Sequence, residues 1–290
     1  MKSQILLCYH SQCELPKGDL YRAIFAGRKL SGEDAAANAE GDDTGDNISD
    51  KNRSFCELTA QYWAWKNGLD ADYIGLCHYR RFFDFKGNGG VATMSGAMER
   101  LSSFTQEDVE RTMEGFDVAL MREHNTKYSM RKLYEHQHIG GDLTILRNVL
   151  SDIEPDYVAM YDEYMAGRRL VCCNMFIMSN ELFNRYSEWL FKVLFELERR
   201  IDVSGRDDYQ SRVFGFLAER LLGVYCSHNE LKICYVPVVK IAAEGEVRVE
   251  TKRYVLFGVI QYFKKRVWYS EAGDVVRRKY YIFGVPVWRC

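Results

Sequence analysis

The stretch His78-Tyr79-Arg80-Arg81, which we call the HYRR stretch, carries the clearest chemical signal in this sequence. It comes directly after the apolar run 73–77, which predicts a buried strand. Ligands of open α/β sheets bind outside the carboxyl ends of the strands. Guanidinium groups match phosphate oxygens with two parallel hydrogen bonds. The stretch therefore predicts a phosphate or diphosphate site, although two arginines paired with surface carboxylates would produce the same pattern.

A second set of polar residues lies near other predicted strand and helix ends. His10 comes after the apolar run 5–9, which reads as the first buried strand. The acidic segment 31–50 and the residues just after it include Asp46, Asn47 and Asn52. Their oxygen atoms suit ribose hydroxyls, a base or a metal ion. A solvated acidic loop with a helix cap at Ser49 is the alternative interpretation.

Two places offer carboxylates that could move a proton. Asp207 and Asp208 open a predicted helix, where one carboxylate is favoured as a cap and the other is available as a base for an incoming hydroxyl group. His138 with Asp142 could form an acid–base or hydroxyl-binding pair. Asp142 is equally suited to cap the helix that is predicted to begin one residue later.

Other motifs exclude functions or point away from the site. The segment 70–72 (Asp-Ala-Asp) matches the D-x-D pattern of metal–diphosphate clamps, but it precedes its strand, so we predict a turn at the opposite edge of the sheet. The sequence lacks the dinucleotide-binding glycine pattern, the P-loop and the nucleophile-elbow serine. Dehydrogenase, kinase and esterase functions therefore lose their main support.

The elements that must position these residues alternate between strands and helices. Apolar runs predict buried strands at 5–9, 73–77, 116–121, 171–178 and 231–239. Helical periodicity and caps predict helices at 50–67, 105–115, 179–200 and 207–222, with several more between 129 and 166. This alternation predicts an α/β fold with a mostly parallel sheet flanked by helices.

The charge of the chain is unevenly distributed. Of the 290 residues, 47% are hydrophobic, which excludes a disordered chain. The chain contains 39 Lys+Arg and 41 Asp+Glu, so it lacks the excess of basic residues that binding to nucleic acid requires. From residue 251 onward, however, there are nine Lys/Arg, two Asp/Glu and ten aromatic residues. We predict one domain over 1–245 and a basic, aromatic, β-rich appendage over 246–290.

The cysteines and the first residues indicate the compartment. Nine cysteines, an odd number without a CxxC pair, lie mostly in apolar runs, which favours buried reduced thiols and a cytoplasmic protein. The apolar run near the N-terminus is too short for a signal peptide or a membrane span.

Four strings resemble one protein family. They are TGDNIS-KN--FCELTAQYWAWKN, YIGLCHYRRFF, NMFIMS--LFNRYSEWLF and YQSRVFGFLAERLL, spread over about Ile5 to Val239. Together they resemble a domain-of-unknown-function family from bacterial capsular and exopolysaccharide gene clusters, grouped with GT-A-like glycosyltransferases. The tail string RRKYYIFGVPVW is similar to C-terminal segments of polysaccharide-assembly transferases.

The resemblance implies a GT-A-like, Rossmann-like fold and a hexosyltransferase that uses a nucleotide sugar, UDP-linked in our prediction. The acceptor would be a lipid-linked oligosaccharide or a polysaccharide of capsule, exopolysaccharide or O-antigen synthesis. The matched positions that carry no role yet are Arg212, Glu219 and Arg220. Arginines in place of D-x-D and a divalent metal ion (Mn or Mg) are both compatible with such a site.

These expectations combine into one hypothesis. Asp207 or Asp208 is the catalytic base, and the acceptor is bound by His138, Asp142, Asn174 and Gln210. The donor is bound by the HYRR stretch together with His10, Asp46, Asn47 and Asn52. The basic appendage would hold the protein at the inner face of the cell membrane, unless its aromatic residues pack on the main domain. A non-catalytic scaffold that binds a nucleotide or a glycan is the alternative function.

Overall fold

The computed structural model describes residues 1–10, 14–31, 40–171, 173–242, 248–256, 260–269, 275–282 and 285–289. Along these residues the strands are β1 (Ser3–Tyr9), β2 (Tyr21–Phe25), β3 (Tyr73–His78), β4 (Arg81–Phe83), β5 (Gly90–Ala92), β6 (Val118–Met121), β7 (His124–Asn125), β8 (Arg169–Leu170), β9 (Phe176–Ser179), β10 (Ile233–Val236), β11 (Val238–Ile241), β12 (Arg248–Leu256), β13 (Ile260–Tyr269), β14 (Val275–Ile282) and β15 (Val285–Arg289).

The helices of the described residues all precede β12 in the chain. They are α1 (Asn52–Phe55), α2 (Leu58–Asn67), α3 (Met94–Ser102), α4 (Gln106–Met113), α5 (Met130–Gln137), α6 (Gly141–Ile153), α7 (Val158–Ala166), α8 (Asn180–Arg200) and α9 (Val213–His228). Strands and helices thus alternate through most of the first 242 residues, as the sequence predicts.

The central sheet has a mixed topology. Its main part runs in the order β2-β1-β3-β9-β6-β10, and every strand except β9 points in the same direction. A second arm continues from β3 through the antiparallel strands β4 and β11 to β5. The carboxyl ends of β1, β2, β3, β6 and β10 therefore meet at one edge, where the sheet's ligand is expected.

The two longest helices, α8 and α9, pack their apolar faces into the core. In α8, Leu182, Tyr186, Leu190, Leu194 and Leu197 are buried at a spacing of three and four residues. Full burial of one such side chain stabilises the fold by about 2 kcal/mol. The Ser179 hydroxyl oxygen accepts from Leu182 N at 3.2 Å and so caps α8, as predicted.

The predicted helix over 50–67 is interrupted. A 3₁₀ turn (Ser49–Lys51) leads into the short helix α1, which ends before Cys56. The φ of Cys56 is 52°, which lies outside helical geometry, and α2 starts two residues after it. The Ser49 hydroxyl donates to Asp42 at 2.5 Å, so it does not act as a helix cap. Asn52 Nδ2 donates to the Cys56 carbonyl at 2.8 Å and stabilises the break. As a result, Glu57 is turned toward the carboxyl edge of the sheet.

Two predicted strands also differ from the observed ones. The segment 231–239 is two strands, split at Pro237, which has no N–H for a ladder. The first, β10, pairs with β6, whereas β11 pairs with β4 and β5. The predicted strand 171–178 is confined to β9, because Cys173 and Asn174 have φ values of 78° and 42° and turn the chain.

The last four strands form a sheet of their own. It is antiparallel in the order β12-β13-β14-β15, which confirms a β-rich C-terminal segment. The predicted domain boundary after residue 245 falls in 243–247, outside the described residues. In the part of the chain that the structure describes, no helix combines the length and the hydropathy needed to span a bilayer.

Candidate active site

A cavity of about 1170 Å³ opens at the carboxyl edge of the central sheet. Its floor is formed by the ends of β1 and β3, and its walls come from α1, the start of α9, and β11. The HYRR stretch lines it throughout. The position agrees with the strand-end rule from which the site was predicted.

Cationic side chains surround this cavity. They are Arg53, Arg80, Arg81, Arg212 and Lys240. Arg81 and Lys240 are register partners on β4 and β11, so the two lie side by side. Within the described residues, none of Arg80, Arg81, Arg212 and Lys240 has a carboxylate within 4.0 Å. Four positive charges are therefore available to an anionic ligand, and the ion-pair alternative for the HYRR stretch does not apply.

Helix α9 adds to this positive potential. Arg212 precedes its first residue, and Gly215 and Phe216 of its first turn line the cavity. The free N–H groups at a helix N-terminus carry a partial positive charge. A phosphate-bearing ligand is favoured by both features.

Three carboxylates line the cavity, and two of them, Glu57 and Glu219, are more deeply placed than Asp208 at its rim. Glu57 Oε1 accepts from Asn174 Nδ2 at 2.8 Å and lies 3.6 Å from His78 Nε2. Within the described residues, Glu57 Oε2 has no hydrogen-bond partner. The Glu57 side chain is 15% exposed, which leaves this oxygen open to a bound ligand.

Glu219 has both oxygens engaged. Oε1 accepts from the Cys173 backbone N–H at 3.0 Å, and Oε2 pairs with Arg220 Nη1 at 2.7 Å. Burial raises the pKa of the Glu219 carboxyl, an effect that the neighbouring Arg220 charge opposes. Glu219 is therefore suited to hold the chain around Cys173, and Glu57 is the freer of the two carboxylates.

The turn at Cys173 and Asn174 connects these groups. His78 Nε2 donates to the Cys173 carbonyl at 2.5 Å, and Asn174 Nδ2 also donates to the Gly215 carbonyl at 3.1 Å. Two consecutive non-glycine residues with positive φ cost on the order of 1–3 kcal/mol each. Such a turn persists where its surroundings hold it, and here it fixes the orientation of Glu57 and His78.

The cavity contains about half of the residues predicted from sequence. His10, Asn52, the HYRR stretch and Asp208 line it. The His10 and Tyr79 rings are 5.0 Å apart at their centres, edge to face. Asp208 lies at the rim, 90% exposed, in an ion pair with Arg53 at 2.6 Å.

The structure does not bring Asp46 and Asn47 to the cavity. Asp46 is held at the far end of α2, where its N–H donates to Asn67 Oδ1 and its carboxylate accepts from Tyr62. Asn47 Nδ2 donates to the carbonyls of Asp43 and Gly45 within its own loop. Asp46 and Asn47 therefore stabilise their own loop.

The segment 70–72 lies at the amino edge of the sheet, as expected. There the Lys2 backbone N–H donates to Asp72 and the Lys2 ammonium group donates to Asp70.

Three other predicted residues act as supports. Asn174 is buried behind Glu57. Asp207 Oδ1 accepts from the Gln210 N–H at 2.7 Å and so stabilises the turn that leads into the 3₁₀ segment before α9, whose N-cap is Tyr209. Gln210 Nε2 donates to the Gln137 carbonyl. None of the three is among the residues that line the cavity in the described structure.

His138 and Asp142 do not form a pair with each other. The Asp142 carboxylate is buried and binds both Nη atoms of Arg206, at 2.7 and 2.8 Å. The His138 ring stacks on Phe216, with 4.0 Å between ring centres. Burial among aromatic rings lowers the pKa of His138 to about 4, so the ring is neutral at physiological pH. The geometry gives both residues packing roles outside the cavity.

Replacing Asp142 with asparagine is expected to lower the free energy of unfolding by about 3 kcal/mol, because the Arg206 charge would stay buried without its partner. The matched control is Asp162→Asn, which breaks the half-exposed pair with Arg147 and should cost less than about 1 kcal/mol. Urea unfolding of both variants measures the difference. Equal losses, or a loss of transfer at unchanged stability, would contradict the structural role.

Sequence reasoning missed Glu57, Arg53 and Lys240. Glu57 lies within the segment 50–67, whose apolar spacing predicts one continuous helix, and the residues next to Cys56 include no glycine or proline that would indicate a break. Lys240 comes directly after the predicted strand 231–239, so the strand-end rule applied there would have found it. Arg212 and Glu219 were matched to the family strings without a role, and the structure brings both to the cavity.

The side chains present do not match a metal centre of the D-x-D type. Within the described ranges, no group of three or more His, Cys, Asp and Glu could hold a metal ion. At the strand end where the resemblance implies a metal clamp, the cavity offers arginines. We therefore derive no reaction step through a metal.

A second cavity, of about 760 Å³, opens at the amino edge of the sheet. Four of its charged side chains are acidic, namely Glu107, Glu110, Glu114 and Asp117, and two are basic, namely Arg111 and Lys232. Such a lining repels a phosphate-bearing ligand, and the carboxyl-edge cavity is the candidate active site.

Fold and cavity together define a mixed α/β protein with a cavity lined by cationic side chains at the carboxyl edge of its sheet. The family model described as "Domain of unknown function (DUF4422)" matches residues 4–230, and the chain belongs to this family. The family resemblance of the four sequence strings is thereby confirmed.

Among solved structures, the chain is similar to the apo structure of the WbbM bifunctional glycosyltransferase, at 26% identity and a TM-score of 0.74. The match covers 88% of this chain and 48% of that chain, so this chain spans about half the length of that protein. The likeness confirms the predicted GT-A-like fold class and supports a glycosyltransferase role. No curated protein matches this chain.

Proposed function

We propose that this chain is a glycosyltransferase that moves a hexosyl group from a nucleotide-sugar donor to a glycan acceptor. In this proposal the donor is UDP-linked, and the acceptor is a lipid-linked oligosaccharide or a polysaccharide of the bacterial surface. The segment 1–245 would be the transferase domain. The observation that carries the proposal is the set of available cations around the oriented carboxylate of Glu57.

The donor diphosphate is assigned to the sheet side of the cavity. Arg80, Arg81 and Lys240 lie at the ends of neighbouring strands, and their charges offset those of the two phosphate groups. His78 is engaged with the Cys173 carbonyl, so it orients the site and the arginines bind the ligand. Charge placed on the leaving diphosphate is stabilised most as the bond to the sugar breaks, which lowers the barrier.

The nucleoside is assigned to the ends of β1 and β3. His10 and Tyr79 form an edge-to-face pair there and offer an aromatic surface to a base. Asn52 lines the same region, although its amide is used to hold the break at Cys56. Asp46 and Asn47 have no part in this binding mode.

Glu57 is assigned as the general base in place of Asp207 and Asp208. Its Oε2 would take the proton of the acceptor hydroxyl as that oxygen bonds to the anomeric carbon. The bond from the anomeric carbon to the diphosphate breaks in the same step, and the nucleoside diphosphate leaves with the electron pair. Asn174 Nδ2 donates to Oε1 at 2.8 Å, which fixes the direction of Oε2.

The non-catalytic scaffold stays as a second candidate because arginines stand where the resemblance implies D-x-D. Such a protein would bind the nucleotide through the same cations without turnover. The two functions differ in whether the bound sugar is then transferred, and one pair of measurements separates them.

The test uses purified chain, a panel of UDP-, GDP- and dTDP-sugars, and a bacterial lipid extract as acceptor. We expect calorimetry to show micromolar binding of one nucleotide and chromatography to show its sugar on a lipid product. Nucleotide binding without turnover would favour the scaffold. Absence of both binding and transfer across the panel would refute the proposal.

A further inference from the structure

The strand register of the C-terminal sheet sorts its residues into two faces. In an antiparallel sheet, residues paired across strands share a face, and the face alternates along each strand. Residues paired across the strands form rows, and successive rows belong to opposite faces of the sheet. One set is Val249–Trp268–Arg277, Thr251–Arg266–Lys279–Arg289 and Arg253–Lys264–Tyr281. We call this set the cationic face.

The rows between these belong to the apolar face. They are Glu250–Val267–Arg278, Lys252–Lys265–Tyr280–Trp288 and Tyr254–Phe263–Ile282. In this set, Val267 is 7% exposed, and Lys265 Nζ lies 5.8 Å from the centre of the Tyr280 ring. The sheet is thus amphipathic, with its apolar and aromatic residues concentrated on one face.

The cationic face has six Lys/Arg positions and no carboxylate among its rows. Strands lie about 4.8 Å apart and alternate residues about 7 Å apart, so these positions cover roughly 14 by 14 Å. The remainder of the chain is acidic, with about nine more Asp/Glu than Lys/Arg over residues 1–250. The positive charge is thus concentrated on one regular, extended surface.

We infer that the cationic face docks on an anionic lipid bilayer. A regular row of strands offers charges spread over an area, which suits a surface of distributed negative charge better than a single ligand. Trp268 and Tyr281 are placed among the cations, and these residue types favour the headgroup level of a membrane. This inference does not depend on the transfer reaction, so either proposal can fail without the other.

Vesicle co-sedimentation of the full chain tests the inference. We expect binding to vesicles of phosphatidylcholine with 30% phosphatidylglycerol at low salt and little binding to phosphatidylcholine alone. Each basic residue near an anionic surface contributes about fivefold to partitioning. The triple variant Lys264→Gln, Arg266→Gln, Lys279→Gln should therefore lose about 100-fold.

The matched control changes the other face of the same sheet by the same charge. It is the triple variant Lys252→Gln, Lys265→Gln, Arg278→Gln, which we expect to lose less than about tenfold. Equal losses in the two triple variants would overturn the inference, and so would tighter binding to a soluble acidic polysaccharide than to the vesicles.

Tryptophan quenching provides a second readout that needs no charge change. Brominated lipid in the same vesicles should quench part of the fluorescence, and Trp268→Phe should remove that part while Trp288→Phe retains it. The reverse order would place the wrong face on the membrane and overturn the inference. Thermal unfolding of each variant, followed by circular dichroism, shows that the fold is intact.

Discussion

Replacing Glu57 with glutamine is expected to lower the rate of sugar transfer by about 10² to 10⁴, the range of a general base. Glutamine keeps the size of the side chain and an oxygen for Asn174 Nδ2, so the site should retain its shape. Donor affinity should be unchanged or slightly higher, since a negative charge beside the diphosphate is removed. Initial rates at saturating donor, with calorimetric donor binding, measure both effects.

The control for this change is Asp208→Asn. Asp208 is one of the two carboxylates that the sequence offers as the base, but it is 90% exposed and paired with Arg53 at the rim of the cavity. We expect its loss to change the transfer rate by less than about fivefold. If Glu57→Gln keeps full activity, our assignment is wrong. A larger loss in Asp208→Asn than in Glu57→Gln would place the base at Asp208.

The second large effect is expected for Arg81→Gln, which should weaken donor binding by about 10- to 100-fold. A charge-assisted hydrogen bond contributes about 1.5–3 kcal/mol, and every 1.4 kcal/mol is tenfold in affinity. Arg81 has no carboxylate partner within 4.0 Å in the described structure, so its removal leaves no orphaned charge. Calorimetric titration of the donor nucleotide measures the change.

Arg199→Gln is the matched control, since it removes the same charge from an exposed position of α8 far along the chain. Its donor affinity should stay within about twofold of the wild-type value. Equal weakening in the two variants would mean that net charge, and not contact, decides binding. Unchanged affinity in Arg81→Gln would remove this residue from the donor site.

Much of the fold was predictable because its signals are local. The capping box of Thr105 and Asp108 before α4 and the serine cap of α8 involve residues three positions apart. The strand β3 and the HYRR stretch after it are contiguous in sequence, so their order alone placed the arginines at the carboxyl edge.

Elements that depend on distant partners were mispredicted. The run 231–239 is apolar throughout, and periodicity cannot show that its two halves pair with β6 and with β4. The direction of β9, opposite to both neighbours, likewise depends on the course of the chain through the intervening helices.

The alternating α/β architecture, the cationic strand end at the HYRR stretch and the basic character of the last forty residues follow from the amino-acid sequence alone. Which carboxylates share the cavity with those cations depends on how the chain folds. Glu57 and Glu219 are far apart in sequence and meet through the turn at Cys173 and Asn174. Asp142 pairs with Arg206 instead of His138. The physical reason is that caps and periodicity depend on neighbours within one turn, whereas a site depends on which chain ends the sheet brings to a common edge.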